Sequence, residues 1–369
     1  VNCFVCNSSS LVGLSALPHG SHLVFVPFVT TQRASSPRQG LGTPLEAEEP
    51  KPDGGLDIKW NPSSGGAIDL TVNPDFSQIE SDAAQITANE RSALFFSEKR
   101  PFFLEGIDLL STPMPVIHTR TITSPRWGAR ATGKLGATAY TALITRDQGG
   151  GLVILPGPQG SEFALQDFRS DVGILRVRHD LGSSFVSVLA SGRDIENGGS
   201  NLVVGPDFQW RPRASDAYTG QALWSESRTP NRPSLASEWD GRVLSDHAFL
   251  LGWSHNTERA DWNVQGMDVG SDFRADNGFI PQVGYREGSL DAGYTMRPSQ
   301  GFLSRVRIFT EDYYDAETGG RPLNQHLTLG SEMDGLRNSL FRAELTVENV
   351  RVGEAWLQRF RPRVLLQAS

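Results

Sequence analysis

Seven histidines are scattered along the chain (His19, His22, His118, His179, His247, His255 and His326). None forms an HExxH helix pair, the spacing that puts two imidazoles on one metal. His247 and His255 share a strand face, but eight residues at ~3.3 Å each hold them about 26 Å apart. Cys3 and Cys6 make a CxxC at the start of the chain. No second pair, nearby histidine or following helix completes a zinc or redox site. There is no GxSxG elbow, no GxxxxGK[ST] loop and no GxGxxG turn. Carboxylate pairs such as Glu311/Asp312 and Asp171/Asp180 have the chemistry for glycoside hydrolysis. Among 42 acidic residues, however, such pairs are expected by chance. The reading is of a chain without catalysis, cofactor or metal site of its own.

The elements that carry these residues decide what else they do. With 34 basic against 42 acidic residues, the net charge of −8 gives no support to nucleic-acid binding. Arginine supplies 30 of the basic residues, with lysine only at Lys51, Lys59, Lys99 and Lys134. A GC-rich genome explains that bias, and so does a demand for partly enclosed ion pairs, which arginine serves better. Mean hydropathy is −0.31, and no stretch approaches the ~18 apolar residues of a membrane-spanning helix. A membrane β-barrel is not excluded, because its strands are apolar on one face only.

From Leu56 the chain alternates. Leu56–Trp60 and Ala67–Val72 flank the turn Asn61-Pro62-Ser63-Ser64-Gly65-Gly66 and read as a hairpin. Leu175 and Val177 oppose Arg176 and Arg178; Val306 and Ile308 oppose Arg305 and Arg307. Phe341, Ala343, Leu345 and Val347 oppose Arg342, Glu344, Thr346 and Glu348. About 12 such strands follow residue 126 in a meander of hairpins. At roughly 9–12 residues they exceed the ~5–6 of soluble sheets. Fully charged against fully apolar faces fit a wet lumen opposite lipid. Short turns (His179–Gly182) alternate with long connections (Asp147–Glu162, Ser225–Glu238, Asp312–Arg321). The predicted fold is all-β: an antiparallel up-and-down barrel of the outer-membrane type, incomplete here. Residues 55–369 would form it, preceded by an irregular 1–54 with one strand (His22–Thr31) and a Pro/Gly/Ser/Glu-rich linker. Trp210, Trp224, Trp239, Trp253 and Trp262 would serve sugar stacking or, in a barrel, an interfacial belt.

Residues 73–112 break the strand pattern. Asn73-Pro74-Asp75-Phe76-Ser77-Gln78-Ile79-Glu80 is followed by Asp82-Ala83-Ala84-Gln85-Ile86. Then comes Phe95-Phe96-Ser97-Glu98-Lys99-Arg100-Pro101-Phe102-Phe103-Leu104-Glu105-Gly106. With Asp272-Phe273-Arg274-Ala275-Asp276-Asn277-Gly278-Phe279-Ile280-Pro281, these stretches resemble a bacterial family, domain of unknown function 5916. Ser97 stands where that family pattern has proline. The resemblance implies an outer-membrane β-barrel in a Gram-negative bacterium, often following a family-9-type, DOMON-like carbohydrate-binding module. No complete module fits before residue 20, so carbohydrate would be met only through a module missing from this chain.

On physical grounds, Glu98-Lys99-Arg100 between aromatic pairs suits a segment folded into a lumen as a partial plug. Asp75, Glu80 and Asp82 match no EF-hand spacing and read as turn caps and arginine partners. The expected role is a pore, an uptake component or a surface scaffold whose partner is outer-membrane lipid. The alternative is a secreted or periplasmic β-protein that binds or processes carbohydrate. Both ends read as those of a piece of a longer protein.

Overall fold

In the strand Ser170–Leu181, Arg176 is buried while its neighbours Leu175 and Val177 face outward or lie half-buried. That inversion, charge inside and apolar outside, organises the molecule. The computed structural model describes residues 22–33, 35–37, 40, 42–76 and 93–367. In chain order the strands are β1 (His22–Gln32), β2 (Ser35–Pro37), β3 (Leu45–Ala47), β4 (Lys51–Ser63), β5 (Gly66–Val72), β6 (Pro125–Leu135) and β7 (Thr138–Asp147). There follow β8 (Leu152–Gly157), β9 (Gly160–Leu165), β10 (Ser170–Leu181), β11 (Ser184–Ile195), β12 (Ser200–Arg213), β13 (Asp216–Arg228) and β14 (Val243–Asn256). The last are β15 (Ala260–Val269), β16 (Tyr285–Met296), β17 (Leu303–Glu317), β18 (Pro322–Gly335), β19 (Leu340–Val352) and β20 (Ala355–Gln367). Two one-turn helices, α1 (Pro101–Leu104) and α2 (Ile107–Leu110), lie between β5 and β6.

Sixteen strands form one sheet in the order β1-β4-β5-β6-β7-β10 and then consecutively to β20. The strand pairs of that sheet are antiparallel, from β1 with β4 to β19 with β20. This is the up-and-down barrel wall that the alternation predicts. Among the described residues its outermost strands, β1 and β20, are not paired with each other. The sheet is curled. The Gly353 N–H, between β19 and β20, donates to Gln159 of the β8–β9 hairpin, which lies between β7 and β10, at 3.2 Å. Nine strand spacings at ~4.8 Å would separate β10 from β19 by about 43 Å if the sheet were flat.

The two ends differ. At one end the turns are short, among them Gly136-Ala137, Gly182-Ser183 and Ala214-Ser215, with φ of 60° at Gly136 and 68° at Gly182. Glycine takes that left-handed backbone without the Cβ clash other residues suffer. The other end carries the long connections 73–124, 148–169, 229–242 and 270–284.

The structure redraws several expected boundaries. β17 continues to Glu317 and leaves only residues 318–321 as a connection. Inward Asp315 is held there by Asn324 on β18 at 2.9 Å. β13 continues to Arg228. The stretch Asp147–Glu162 is not plain loop, because β8 and β9 pair as a separate hairpin. β4 begins at Lys51, inside the span read as linker, and β2 pairs with β3 in that same span. After β5, 13 strands of the main sheet replace the expected 12 or so. Trp239 is 3% exposed and packs edge-on against Phe168, which removes it from both the belt and sugar stacking.

Candidate functional site

Residues 93–124, ahead of β6, run across the inner face of the wall. Pro101 starts α1, where a missing N–H costs nothing. Gly106, at φ 61°, turns the chain into α2. Phe103, Leu110, Ile117 and Ile122 from this segment are buried against Leu143 of β7 and Val172 and Ile174 of β10. Further along, Met114 and Val116 join Leu189, Val203, Leu223 and Leu250 of β11 to β14. Burial of these side chains, at roughly 1.5–3 kcal/mol each, makes the segment part of the core rather than a strap over it.

A clasp within the segment uses the charged run. The Arg100 guanidinium donates to Glu98 at 2.9 and 2.7 Å, to the Ile122 carbonyl at 2.5 Å and to the Thr119 carbonyl at 2.7 Å. The Thr119 hydroxyl donates to the same Glu98 at 2.6 Å. The guanidinium also lies 4.2 Å from the Phe103 ring centre and 5.3 Å from that of Phe76. Burial alone would raise the Glu98 carboxyl. The hydrogen bond and charge of Arg100, with Thr119, outweigh it and hold the group at about 2. His118, next to the clasp, is lowered to about 4, first by burial, against the Glu98 charge and with help from Arg120 and Arg100.

The wall grips the segment from the other side. Arg176 of β10 donates to the Leu109 carbonyl at 2.9 Å and also to the Ser111 carbonyl. Its far nitrogen meets Asp207 of β12 at 2.5 Å, across Ser187 of β11. Gln221 of β13 accepts from the Met114 N–H at 2.8 Å. Lys59 pairs with Glu105, and Arg130 pairs with Asp69 at 3.1 Å. By contrast, the inward charges of β17 to β20 meet one another: Arg305 with Asp334 at 2.5 Å, Arg342 with Glu344 at 2.7 Å, and Arg361 with Glu348 at 3.2 Å.

At the long-connection end the segment, the β8–β9 hairpin and the connection 270–284 enclose a cavity of about 540 Å³. Phe96, Phe163 and Phe279 contribute its rings, and Arg120, Arg193, Arg274, His118 and Asp276 its charged and titratable groups. Asn277 fixes that connection, donating to Ser191 at 3.0 Å and to the Gly192 carbonyl at 2.9 Å, and accepting from Arg193 at 2.9 Å. Its carbonyl accepts from the His118 N–H at 2.6 Å, which ties connection to segment. Arg274 makes a two-pronged pair with Glu238 at 2.9 and 2.8 Å. Burial pushes the Asp276 carboxyl up, against the charges of Arg193 and Arg274 and with Glu238 adding to the rise.

The residues singled out by sequence therefore divide. Glu98, Arg100, Pro101, Phe102, Phe103 and Phe76 meet in and around the clasp, with Phe102 edge-on to Phe103 at 5.0 Å. The Lys99 N–H also donates to Glu98, at 3.0 Å. Glu105 and Gly106 lie against β4 and β6 instead. Arg274 and Asp276 line the cavity and Asn277 braces the connection against β11, while the Asp272 N–H binds Asp246 at 3.1 Å. Asn73, at φ 51°, closes the end of β5, its amide donating to Asp53 at 2.5 Å and to the Gly54 carbonyl at 3.0 Å. Pro74 and Asp75 follow it outside any strand. Glu80 and Asp82 lie outside the described residues. No group of acids, histidines or cysteines among the described residues could hold a metal ion. His118, Arg193 and Asp207 were not expected in a site, and no motif or spacing marks them.

Residues 21–128 match a family model described as a domain of unknown function (DUF5916). Over that stretch the match bears out the resemblance carried by the Asn73 and Phe95 motifs. No curated protein matches the sequence. Among solved structures, the chain is similar to OccAB2 of Acinetobacter baumannii, at 10% identity and a TM-score of 0.40, over 93% of this chain and 86% of that one. It is also similar to OccK5 (OpdH) of Pseudomonas aeruginosa, at 9% identity and a TM-score of 0.39, over 94% and 96%. At those scores the two likenesses carry no argument about function.

Proposed function

We propose that the protein is an outer-membrane barrel of a Gram-negative bacterium. It would work without catalysis of its own, as an uptake component whose lumen is partly filled by residues 93–122. The observation that carries this reading is the outward face of the wall. Leu251 on β14, Ile308 on β17 and Leu329 on β18 are 62%, 56% and 57% exposed, in strands whose inward residues are polar or buried. An apolar band round so many strands would be a severe aggregation hazard in water and is the expected surface toward lipid. Outward aromatics add to it at two levels. Trp60, Trp210 and Tyr294 lie toward the short-turn end, and Trp127, Tyr314 and Trp356 toward the end that carries the long connections. Such rings favour the two membrane–water boundaries.

Long connections of outer-membrane barrels face the outside, so on this reading the cavity lies at the mouth of the lumen. The charge-lined inner faces of β17 to β20 would offer a route past it. Two measurements test this. Purified from an outer-membrane fraction, the protein should migrate faster unboiled than boiled; a detergent-free soluble monomer would overturn the reading. In planar bilayers small conductance steps are expected, enlarged when the Glu98–Arg100 clasp is broken.

A further inference from the structure

Arg120, Arg193 and Arg274 line the cavity between the inner segment, the β8–β9 hairpin and the connection 270–284, while the acids facing Arg193 and Arg274 stand outside its lining. Arg193 is 3% exposed. It faces Asp147 at 3.9 Å, beyond hydrogen-bond reach. That carboxylate is served instead by the Ser124 N–H at 2.8 Å and the Gln166 amide at 2.7 Å. Arg193 donates from Nε to Asn277 and from Nη2 to the Thr121 carbonyl, both at 2.9 Å. Among the described residues its remaining nitrogen, Nη1, donates no hydrogen bond. A buried charged donor left open in this way calls for an acceptor.

The other charges of the lining agree in sign. Arg274 keeps its pair with Glu238, and Arg120 lies over the Phe96 ring at 6.0 Å. Asp276 is the one acid among the lining residues. Burial pushes its carboxyl up, against the charges of Arg193 and Arg274 and with Glu238 adding to the rise. It is thereby drawn toward a neutral form that can itself donate. Around these groups the lining is apolar: Leu152, Ile154 and Phe163 come from the hairpin, Phe279 and Ile280 from the connection. Phe279 is held edge-on to Phe95 at 5.2 Å and to the His118 ring at 5.7 Å, so its place is set before any ligand arrives. A volume of about 540 Å³ lies within the ~300–1,000 Å³ usual for small-molecule sites. A cation here would meet like charges, whereas an anion with an apolar body meets a complement to each of its parts.

We propose that this cavity binds a small amphiphilic anion, with its acidic head on Arg193, in the field of Arg120 and Arg274, and its apolar body among Ile154, Phe163 and Phe279. Carboxylate and phosphate heads share this chemistry, since both accept charge-assisted hydrogen bonds from a guanidinium. Occupancy of the cavity is independent of whether the barrel conducts, so binding and conductance can fail separately.

The test is calorimetric titration of the full chain in lipid nanodiscs, against empty nanodiscs, with probes built on one ring system: indole-3-acetate, indoxyl phosphate, tryptophol and tryptamine. At least one of the two anions should bind, and it names the head group. Tryptophol should bind about tenfold more weakly, the size expected of one charge-assisted hydrogen bond, and tryptamine more weakly still. Arg193→Gln should weaken the anion about tenfold and leave tryptophol unchanged. Arg120→Gln, which leaves the Arg193 contacts in place, should weaken the anion severalfold, and it keeps the test open if the Arg193 variant does not fold. Phe163→Ser, on the hairpin, should weaken the anion and tryptophol alike. Tryptophol or tryptamine bound as tightly as the better anion overturns the proposal, as does normal anion binding by both arginine variants. Failure of every probe to bind the unaltered protein also overturns it.

Discussion

Arg176 on β10 and Asp207 on β12 meet at 2.5 Å across the intervening strand, with side chains 3% and 0% exposed. The same guanidinium holds the carbonyls of Leu109 and Ser111. One arginine therefore joins two strands of the wall to the inner segment. Removing one member of a buried pair strands the other charge and typically costs 3–5 kcal/mol, whereas replacing both by apolar groups of similar size is often neutral. Arg176→Met should lower unfolding stability in lipid vesicles by about 3–5 kcal/mol, and Arg176→Met with Asp207→Leu by much less. A double variant as unstable as the single one would show that the backbone carbonyl contacts, not the ion pair, carry the cost.

Acid should loosen the segment in two stages. His118 in the unfolded chain takes up a proton near 6.5, but in the folded protein only near 4. The unfolded state thus binds more protons between these values, and stability falls as pH drops from 6.5 to 4. The full shift corresponds to about 3 kcal/mol, and roughly 2 kcal/mol after allowing for the ring's partial exposure. Glu98 follows. Its contribution is complete above 4.5 and is lost as pH falls toward 2. Asp276 acts in the opposite sense, since its raised carboxyl favours the folded state in acid. Denaturant midpoints measured from pH 7 to 3 should fall, with His118→Gln flattening the upper part and Glu98→Gln the lower. A His118→Gln profile that matches the unaltered one would refute the assignment.

How much of this was legible in the sequence depends on the range of the contact. Alternation with period 2 is local, so the opposed faces of Leu175/Arg176 and Leu345/Glu344 could be read directly, and the barrel with them. The β8–β9 hairpin was missed because Leu152–Leu165 is short, apolar and broken by Gly157-Pro158, which reads as a loop. Partners such as Arg176 and Asp207, or Asn277 and Ser191, are separated by 31 and 86 residues. Strand register across β11 brings the first pair together, and the packing of the connection 270–284 on β11 the second. The resemblance over 272–281 marked Arg274, Asp276 and Asn277 but not what they face, because His118 and Phe163 come from other elements.

Gly106 is the position where the segment's path depends on one missing methyl. Its φ of 61° is left-handed, and an added Cβ would meet the Thr132 methyl at 2.6 Å. Gly106→Ala should cost about 1–3 kcal/mol from backbone strain alone, with the contact on top. Adding Thr132→Ser should recover only the contact part. Equal stability of Gly106→Ala and the unaltered protein would mean that the turn from α1 into α2 is made differently.

The apolar outward belt makes the sharpest demand of the proposed membrane location. Leu251 lies mid-strand on β14, points outward and is 62% exposed. If that face met water, arginine there would be nearly neutral or even helpful, since surface substitutions usually stay within about 0.5 kcal/mol. If it meets lipid near the midplane, arginine costs about 2–4 kcal/mol, and the cost fades toward the boundaries. Refolding into phosphatidylcholine vesicles should show that penalty for Leu251→Arg. Trp210→Arg, four residues from the short turn at Ala214-Ser215, should lose about 1 kcal/mol or less from charge placement, beyond the loss of ring contact with Tyr218. Depth dependence is the discriminating result. A soluble protein would tolerate both charges alike, and equal, small effects at the two positions would remove the membrane from the account of this fold.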